Sequence, residues 1–521
     1  MLRKVLIPLL AAALALSGCS SNPVTGKSEL MLMSEGQEIQ LGEQYYLLMQ
    51  QAEGGDYITD PEVQKYVDGI GQKLARVSDR PKLPYEFVVL NNSVPNAWSL
   101  PGGKIAINRG LLQELKSEGE LAAVLGHEIV HSAARHTAQR MQRGMLLETG
   151  MIGLSQLLEG HQYEDLLMQG AGLGAGLIFF KYSREDEREA DFYGIKYMVA
   201  AGYDPQCAVE LQKTFVRLSH ERGQRGWADG LFASHPPSEE RVENNTIAAA
   251  RYPAGGKVEA KEYEKVMARL KRDKPAYEAL DKGYLALVKG NAREALSSAE
   301  EGIRIEPKEA HLFNLKGKAE LKLAKKSEAM SSFNRAIDLN PNYFDFYLQR
   351  GLLKYQQELF DKAEEDLKKS IDLLPTAEAH NALGNIALRR GNKQEALDHF
   401  RIAESSPSIA GTEARRSAQK LDKELDKELQ SGIKSRTSLP QVNVEVELSA
   451  SGHLNFYIEN RSSQNYPELL IELTFYGENQ RELGRERVRL IEPLKARQKI
   501  FFPSSFLAPK GTLNINALAI K

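Results

Sequence analysis

Several things are scarce in this chain, and each scarcity narrows what it can be. Only two cysteines, Cys19 and Cys207, occur in 521 residues, so a disulfide-stapled scaffold is excluded and stability must come from buried area, with a bound metal as a further source. Charge of one sign is also lacking. Lys and Arg number 68 against 70 Asp and Glu, a net charge of −2, and there is no basic excess of the kind that neutralises a phosphate backbone. Nucleic acid is therefore not an expected partner. No apolar run reaches the roughly 20 residues that a helix needs to cross hydrocarbon; Val5 to Leu16 and Ala171 to Phe180 both fall short. With 42% apolar residues, a chain of this length can bury several cores, and three modules are expected.

Against that background the pentapeptide His127-Glu128-Ile129-Val130-His131 stands out. On a helix, residues four apart differ by about 40° in azimuth, so His127 and His131 can grip one ion while Glu128, about 100° away, reaches a metal-bound water. This HExxH spacing is a zinc hydrolase motif. Its surroundings read as helix: Ser117 and Glu120 form a capping-box pattern, and Leu121, Val124, Leu125 and Ile129 follow at helical spacing. The competing reading is a buried helix with two satisfied histidines.

Two histidines leave a tetrahedral zinc short of a protein ligand. His136 is not the expected source: it lies about 140° around a continuing helix from His131. The HExxHxxGxxH pattern would need Gly and His where Ala134 and Thr137 stand. The acidic stretch from Ser183 to Asp191 is the better source, because Glu187 and Asp191 are four apart on one helical face. Glu187 could ligate the metal while Asp191 orients a liganding histidine through its other nitrogen. A solvated face paired with its own arginines is the alternative.

HEIVH followed by EREAD, and preceded by the segment from Pro95 to Asn108, resembles the HtpX/BepA-type zinc metallopeptidases, relatives of the CAAX prenyl endopeptidase and Oma-type proteases. The resemblance covers roughly residues 23 to 250. It implies that Glu187 is the third ligand of one zinc ion per chain and Asp191 the supporting carboxylate. It also implies a role for Ser234-His235-Pro236-Pro237, ahead of a charged helical stretch containing Arg241: His235 would occupy the open zinc position and hold the enzyme inactive until it moves. An ordinary loop histidine is the alternative there. The integral-membrane branches of the family carry long apolar helices that this chain lacks, so the soluble periplasmic branch is the nearer match. The implied chemistry is metal-assisted peptide hydrolysis, in which Glu128 takes a proton from water and returns it to the leaving amine. Lys104 to Asn108, after the turn at Pro101-Gly102-Gly103, alternates apolar and polar residues. It reads either as an exposed edge to which an extended substrate adds or as an internal strand with a closed ladder.

At the N-terminus, Arg3 and Lys4 precede the short apolar run, a secretory signal. Leu16-Ser17-Gly18-Cys19 resembles the lipobox of bacterial lipoproteins, which implies cleavage before a lipidated Cys19, with Ser20 fitting outer-membrane sorting. A soluble secreted protein with an incidental Cys19 is the alternative. The stretch from Met141 to Phe180 is read as core helix, or as a mobile lid over the metal or a surface touching unfolded substrate or membrane.

Beyond the catalytic region the sequence repeats. Gly283, Gly317 and Gly351 are 34 apart and Gly384 follows at 33, with Ala295, Ala329, Ala363 and Ala396 in step. Pro307, Pro341 and Pro375 close successive units, and Phe333, Leu367 and Phe400 supply bulk beside the small residues. This is a tetratricopeptide pattern, an α-solenoid whose concave groove suits extended peptides or helices; a bare spacer is the alternative. Leu421 to Leu429 has helical spacing, and Ser431 to Pro440 reads as a linker. From Gln441 the period becomes two, at Val442 to Leu448, Leu454 to Ile458, Ile471 to Phe475 and later runs. Six or seven antiparallel strands are expected, a small immunoglobulin-like sandwich.

The expectation is thus a multidomain chain. Residues 1–18 are a lipoprotein signal peptide and 19–30 a lipidated tether. Residues 31–262 form a mainly α zinc-metallopeptidase domain of gluzincin type with a small β-sheet, 263–430 a tetratricopeptide solenoid and 440–521 a β-sandwich. The expected metal ligands are His127, His131 and Glu187, and the expected catalytic group comprises Glu128, Asp191, His235 and Arg241. By resemblance it is a periplasmic endopeptidase, anchored through Cys19 at the inner leaflet of the outer membrane and meeting the bilayer by that anchor only. It would act on unfolded or misassembled envelope proteins and contact outer-membrane assembly machinery through its repeats. The competing class is a non-enzymatic chaperone or scaffold for outer-membrane protein assembly.

Overall fold

The computed structural model describes residues 19–149, 182–225, 235–433, 439, 441–448, 453–466, 469–476, 482–490, 493–507, 512 and 514–520. The signal peptide, most of the stretch from Met141 to Phe180 read as core helix or lid, and Ser234 lie outside the described residues. Met1–Ala418 make one compact unit and Gln419–Lys521 a second.

In the first unit, the segment expected as a tether folds as an antiparallel hairpin of β1 (Cys19–Ser21) and β2 (Ser28–Leu30). Asn22 explains why: its Oδ1 accepts from the backbone of Val24 and Thr25, closing the turn, and its Nδ2 donates to Ala134 O at 3.0 Å. Helices α1 (Glu35–Ala52) and α2 (Pro61–Ala75) follow, capped by Ser34 and Asp60.

A three-stranded sheet of β3 (Glu86–Leu90), β4 (Ala97–Leu100) and β5 (Lys104–Asn108) comes next, in the order β3-β5-β4. β5 is the middle strand, parallel to β3 and antiparallel to β4, with all five residues buried. The edge-strand reading of Lys104 to Asn108 is therefore corrected: both sides of its ladder are taken, and no peptide can add to it. The turn at Pro101-Gly102-Gly103 folds β5 back on β4, and Gly102 is needed there: its φ is 75°, and a Cβ on it would stand only 2.8 Å from Ile39 Cα. On the outer side of β3, Gln64 bonds Phe87 O and Val89 N, and Gln72 bonds Tyr85 O, so side chains occupy that edge.

Helix α3 (Glu118–Ala133) runs through the core with Gly119 to Ala133 all buried. It packs on α2, on β4, on α5 (Arg184–Ala200) and on α6 (Gln206–Arg225). Between α3 and α5 lies α4 (His136–Thr149); α7 (Glu239–Ala249) and α8 (Ala260–Arg272) complete this region.

Four helix pairs make the solenoid: α9 (Lys274–Val288) with α10 (Ala292–Ile305), α11 (Ala310–Lys322) with α12 (Lys326–Leu339), α13 (Phe344–Gln356) with α14 (Phe360–Leu373), and α15 (Ala377–Arg389) with α16 (Lys393–Glu404). The 34-residue period has a steric cause. A Cβ on Gly317 would meet the Phe333 ring at 2.5 Å, one on Gly384 the Phe400 ring at 2.6 Å, and one on Gly351 Leu367 at 3.0 Å. The last three pairs thus bring backbone against a large side chain of the same pair, whereas Gly283 of the first faces Leu315 of the second, where a Cβ would stand 2.4 Å away. The array is joined to the rest of its unit by defined contacts. Gln51 bonds Asn342 O and Phe344 N, Glu309 accepts from Thr59 and Asn91, and the Arg109 guanidinium lies 3.5 Å over the Tyr277 ring.

Helix α17 (Ile409–Ile433) carries the chain out of the first unit, extending three residues into the stretch read as a linker. The second unit holds β6 (Val442–Leu448), β7 (His453–Asn460), β8 (Leu469–Tyr476), β9 (Glu482–Leu490), β10 (Lys499–Leu507) and β11 (Asn514–Ile520). They form two antiparallel three-stranded sheets, β10-β7-β6 and β11-β8-β9. Leu454, Phe456 and Ile458 of one and Ile471, Leu473 and Phe475 of the other share a single core, the period-two pattern made physical.

Candidate metal centre

Two capped helices build the centre. Ser117 Oγ accepts from Glu120 N to start α3, while Glu120 Oε2 accepts from Lys116 N, one residue earlier than a full capping box requires. Ser183 and Asp186 make the complete box at α5, whose first turn carries Glu185, Asp186 and Glu187 where the helix dipole favours negative charge. The two helices cross at glycines: a Cβ on Gly126 would stand 3.1 Å from Gly194 O, and one on Gly194 3.1 Å from His127 N. That close approach brings residue 127 of one helix within reach of Glu187 and Asp191 of the other.

His127, His131, Glu187 and His235 converge, one ligand atom from each lying within 4.8 Å of the others, and all four are buried. His127 Nε2 is 3.0 Å from His131 Nε2 and 3.3 Å from His235 Nδ1, and His235 Nδ1 is 2.7 Å from Glu187 Oε1. Glu187 Oε1 and Oε2 stand 3.5 and 3.6 Å from His131 Nε2 and His127 Nε2. Glu128 is also buried, with Oε1 3.6 Å from His235 Nε2.

Asp191 sits behind His127, its Oδ1 3.0 Å from Nδ1. Arg241 grips Asp191 through Nε at 2.8 Å and Nη2 at 2.6 Å, and its Nη1 lies 2.8 Å from Glu187 Oε2. Gln212 and Asn245 donate to the same aspartate. Burial would raise the Asp191 carboxyl, but the Arg241 guanidinium and the His127 contact hold it below the ordinary range. Burial acts the same way on Glu187, and His235, Arg241 and His127 together pull it well below. Burial pushes His131 well below the usual histidine value, so its ring is neutral, as a ligand requires. Its face is covered by the Tyr182 ring, stacked at 3.7 Å.

These residues fit a divalent ion. An ionised Asp191 can only accept, so His127 carries its proton on Nδ1 and presents a bare Nε2 to the cluster. Glu128 Oε2 and His235 Nε2 are buried with no hydrogen-bond partner. Imidazole nitrogens and a carboxylate, with imidazole orientation set by a carboxylate behind, are the donor set of zinc. A cavity of about 20 Å³ lined by His127, Glu128, Asp191, His235 and Arg241 adjoins the cluster, room for one ion or water.

Residues 61–246 match the model of Peptidase family M48, and residues 280–344 and 348–408 match a tetratricopeptide repeat model. The chain carries a family M48 peptidase domain followed by tetratricopeptide repeats. The curated relatives that match part of the chain are named as proteases. The "Putative beta-barrel assembly-enhancing protease" of Vibrio cholerae is 29% identical over 225 residues, 42% of this chain and 45% of that one. "Mitochondrial metalloendopeptidase OMA1" of Schizosaccharomyces pombe is 34% identical over 179 residues, 34% of this chain and 50% of that one. The "Beta-barrel assembly-enhancing protease" of Escherichia coli K12 is 28% identical over 257 residues, covering 46% and 51%. The chain thus spans about half the length of the curated relatives it matches.

All seven residues singled out by sequence lie together in the M48 domain: His127, His131, Glu187 and His235 in the cluster, Glu128 beside His235, Asp191 and Arg241 behind. His136 is outside the cluster, with its Nδ1 3.0 Å from His131 Nδ1. Sequence reasoning missed this contact, and it missed Tyr182, Gln212 and Asn245. Asn245 had a usable signal, since it lies four residues after Arg241 and shares its helical face; Tyr182 and Gln212 had none.

Proposed function

We propose that this chain is a zinc-dependent endopeptidase that hydrolyses peptide bonds in misfolded or misassembled envelope proteins. The observation that carries the reading is the buried convergence of His127, His131, Glu187 and His235 beside Glu128. Zinc held by His127, His131 and Glu187 would supply a Lewis acid and acidify a water. Glu128, whose Oε2 has no partner, takes the proton and passes it to the leaving amine. Asp191 fixes the His127 tautomer, and Arg241 holds Asp191 and Glu187 in register. His235 fills the space between Glu128 and Glu187, so turnover requires the His235-Pro236-Pro237 segment to withdraw. The repeats present substrate or dock an assembly machine, in keeping with the names of the relatives. The chain acts in the periplasm, lipid-anchored at Cys19 to the outer membrane.

A scaffold reading has one observation in its favour: His235 completes a set of four protein ligands, the closed arrangement of a structural zinc site. Digestion of casein by the zinc-loaded full chain separates the two. Measurable cleavage is expected from the wild type, faster cleavage from His235→Ala, and none from Glu128→Gln, which still retains one zinc per chain. Absence of cleavage by both wild type and His235→Ala with zinc bound would establish the scaffold instead.

A further inference from the structure

A line of polar contacts runs away from the metal centre behind His131. His131 Nδ1 lies 3.0 Å from His136 Nδ1, His136 Nε2 lies 3.3 Å from Glu189 Oε2, and Glu189 Oε1 lies 2.6 Å from Lys27 Nζ on the β1–β2 turn. His131 and His136 are both buried. The contact exists because α3 stops. Ala134 caps the helix and Arg135 adopts φ of 64°, held by its Nε on the buried Glu38 at 3.0 Å, which swings His136 back onto His131 instead of 140° away.

Donors and acceptors along this line can be assigned in only one order for neutral rings. The Glu189 carboxylate, paired with Lys27, can only accept, so His136 carries its proton on Nε2. His136 Nδ1 is then bare and accepts, so His131 must carry its proton on Nδ1. His131 Nε2 is thereby left bare, 3.0 Å from the bare Nε2 that Asp191 imposes on His127. Two lone pairs face each other, an arrangement that a cation between them satisfies.

We propose that His136 is a positioning residue of the metal centre, holding His131 as the tautomer that ligates through Nε2, with Glu189 ordering His136 in turn. His136 thus does for the second ligand what Asp191 does for His127. The inference rests on the metal site proposed above and concerns residues given no role there.

The test uses the full chain with zinc alone as probe. Zinc affinity is measured by competition with a chromophoric chelator, the cobalt-substituted protein gives an absorption spectrum, and the metal-stripped protein is melted. His136→Phe keeps the ring volume and removes the acceptor; His136→Asn restores an acceptor oxygen near the Nδ1 position. The expected result is a 10–100-fold loss of zinc affinity in His136→Phe with a shifted cobalt spectrum. His136→Asn should stay within a few-fold of wild type, and Glu189→Leu should lose a few-fold. Unchanged affinity and spectrum in His136→Phe overturn the proposal, as does an equal loss in the Phe and Asn variants, which signifies packing alone. Should His136→Phe not fold, His136→Asn and Glu189→Leu decide: wild-type affinity in the Glu189 variant, or a loss in the Asn variant larger than in Glu189→Leu, overturns it. A wild-type chain that takes up no zinc fails differently, since it removes the metal site itself.

Discussion

Replacing Arg241 by Met should be among the most damaging single changes in the first unit that leaves every metal-ligating residue in place. Arg241 is 6% exposed and makes three close contacts, at 2.6 to 2.8 Å, with two buried carboxylates. Removing one partner of a buried ion pair costs about 3–5 kcal/mol, because the remaining charge is stranded out of water. Here two charges are stranded, so the upper part of that range is expected, and Met fills only the stem volume. Arg241→Lys should fall between, at about 1–3 kcal/mol, since one ammonium cannot reproduce the two-pronged grip on Asp191. Urea unfolding of the metal-stripped protein gives the numbers. A double-mutant cycle with Asp191→Asn isolates the pair, with a coupling of about 1–3 kcal/mol expected. A loss below about 1 kcal/mol in Arg241→Met, or strict additivity in the cycle, would refute the claim that this guanidinium neutralises the acidic side of the centre.

In the solenoid, Gly317→Val drives two methyl groups toward the Phe333 ring and should cost about 1–3 kcal/mol by urea unfolding; a neutral result would mean the helices can separate freely. Gln64→Leu deletes both bonds capping the outer edge of β3 and should lose about 1–3 kcal/mol, with light scattering reporting greater self-association as that edge opens. His380 is held down to about 4 by burial and by His399 beside it. The folded ring stays neutral while an unfolded one gains a proton below about 6.5, so stability falls as pH drops from about 6.5 to 4 by up to about 3 kcal/mol. His380→Gln should flatten that slope in thermal melts at pH 7, 5.5 and 4.5, and an unaltered slope would assign it elsewhere. Zinc at 1,000 times its dissociation constant should stabilise the chain by about 4 kcal/mol, an effect lost in His127→Ala.

Much of the candidate centre was legible because its pieces are local. His127, Glu128 and His131 lie within two turns of one helix, Glu187 and Asp191 within two turns of another, and a fixed period converts spacing into a shared face. The repeats were legible for a related reason: Gly317, Gly351 and Gly384 each recur with their large partner, Phe333, Leu367 or Phe400, within one helix pair. What escaped reading depends on the chain departing from a regular element or on distant segments meeting. His136 was placed on the wrong side because the extrapolated helix ends at Ala133, and nothing in Ala134-Arg135 announces a left-handed residue held by Glu38. Gln212 approaches Asp191 from another helix, where its amide could equally have faced water. The alternation in Lys104 to Asn108 describes a strand but not its neighbours, so the closed ladder emerged only with β3 and β4 in place. Residues 19–30 offered too little hydrophobic pattern to suggest a hairpin, whose stability rests on Asn22 bonding its own turn and Ala134.

The seam between the solenoid and the helices around the sheet sets a limit on how this machine can work. Gln51 clasps the backbone of residues 342 and 344, Glu309 is shared by Thr59 and Asn91, and Arg109 is pressed onto Tyr277. An array fastened in this way is a jig and not a swinging arm. On the function proposed above, a polypeptide seated on it would meet the metal centre at a fixed span and angle, and selectivity would then be written in distance along that polypeptide as well as in side-chain chemistry.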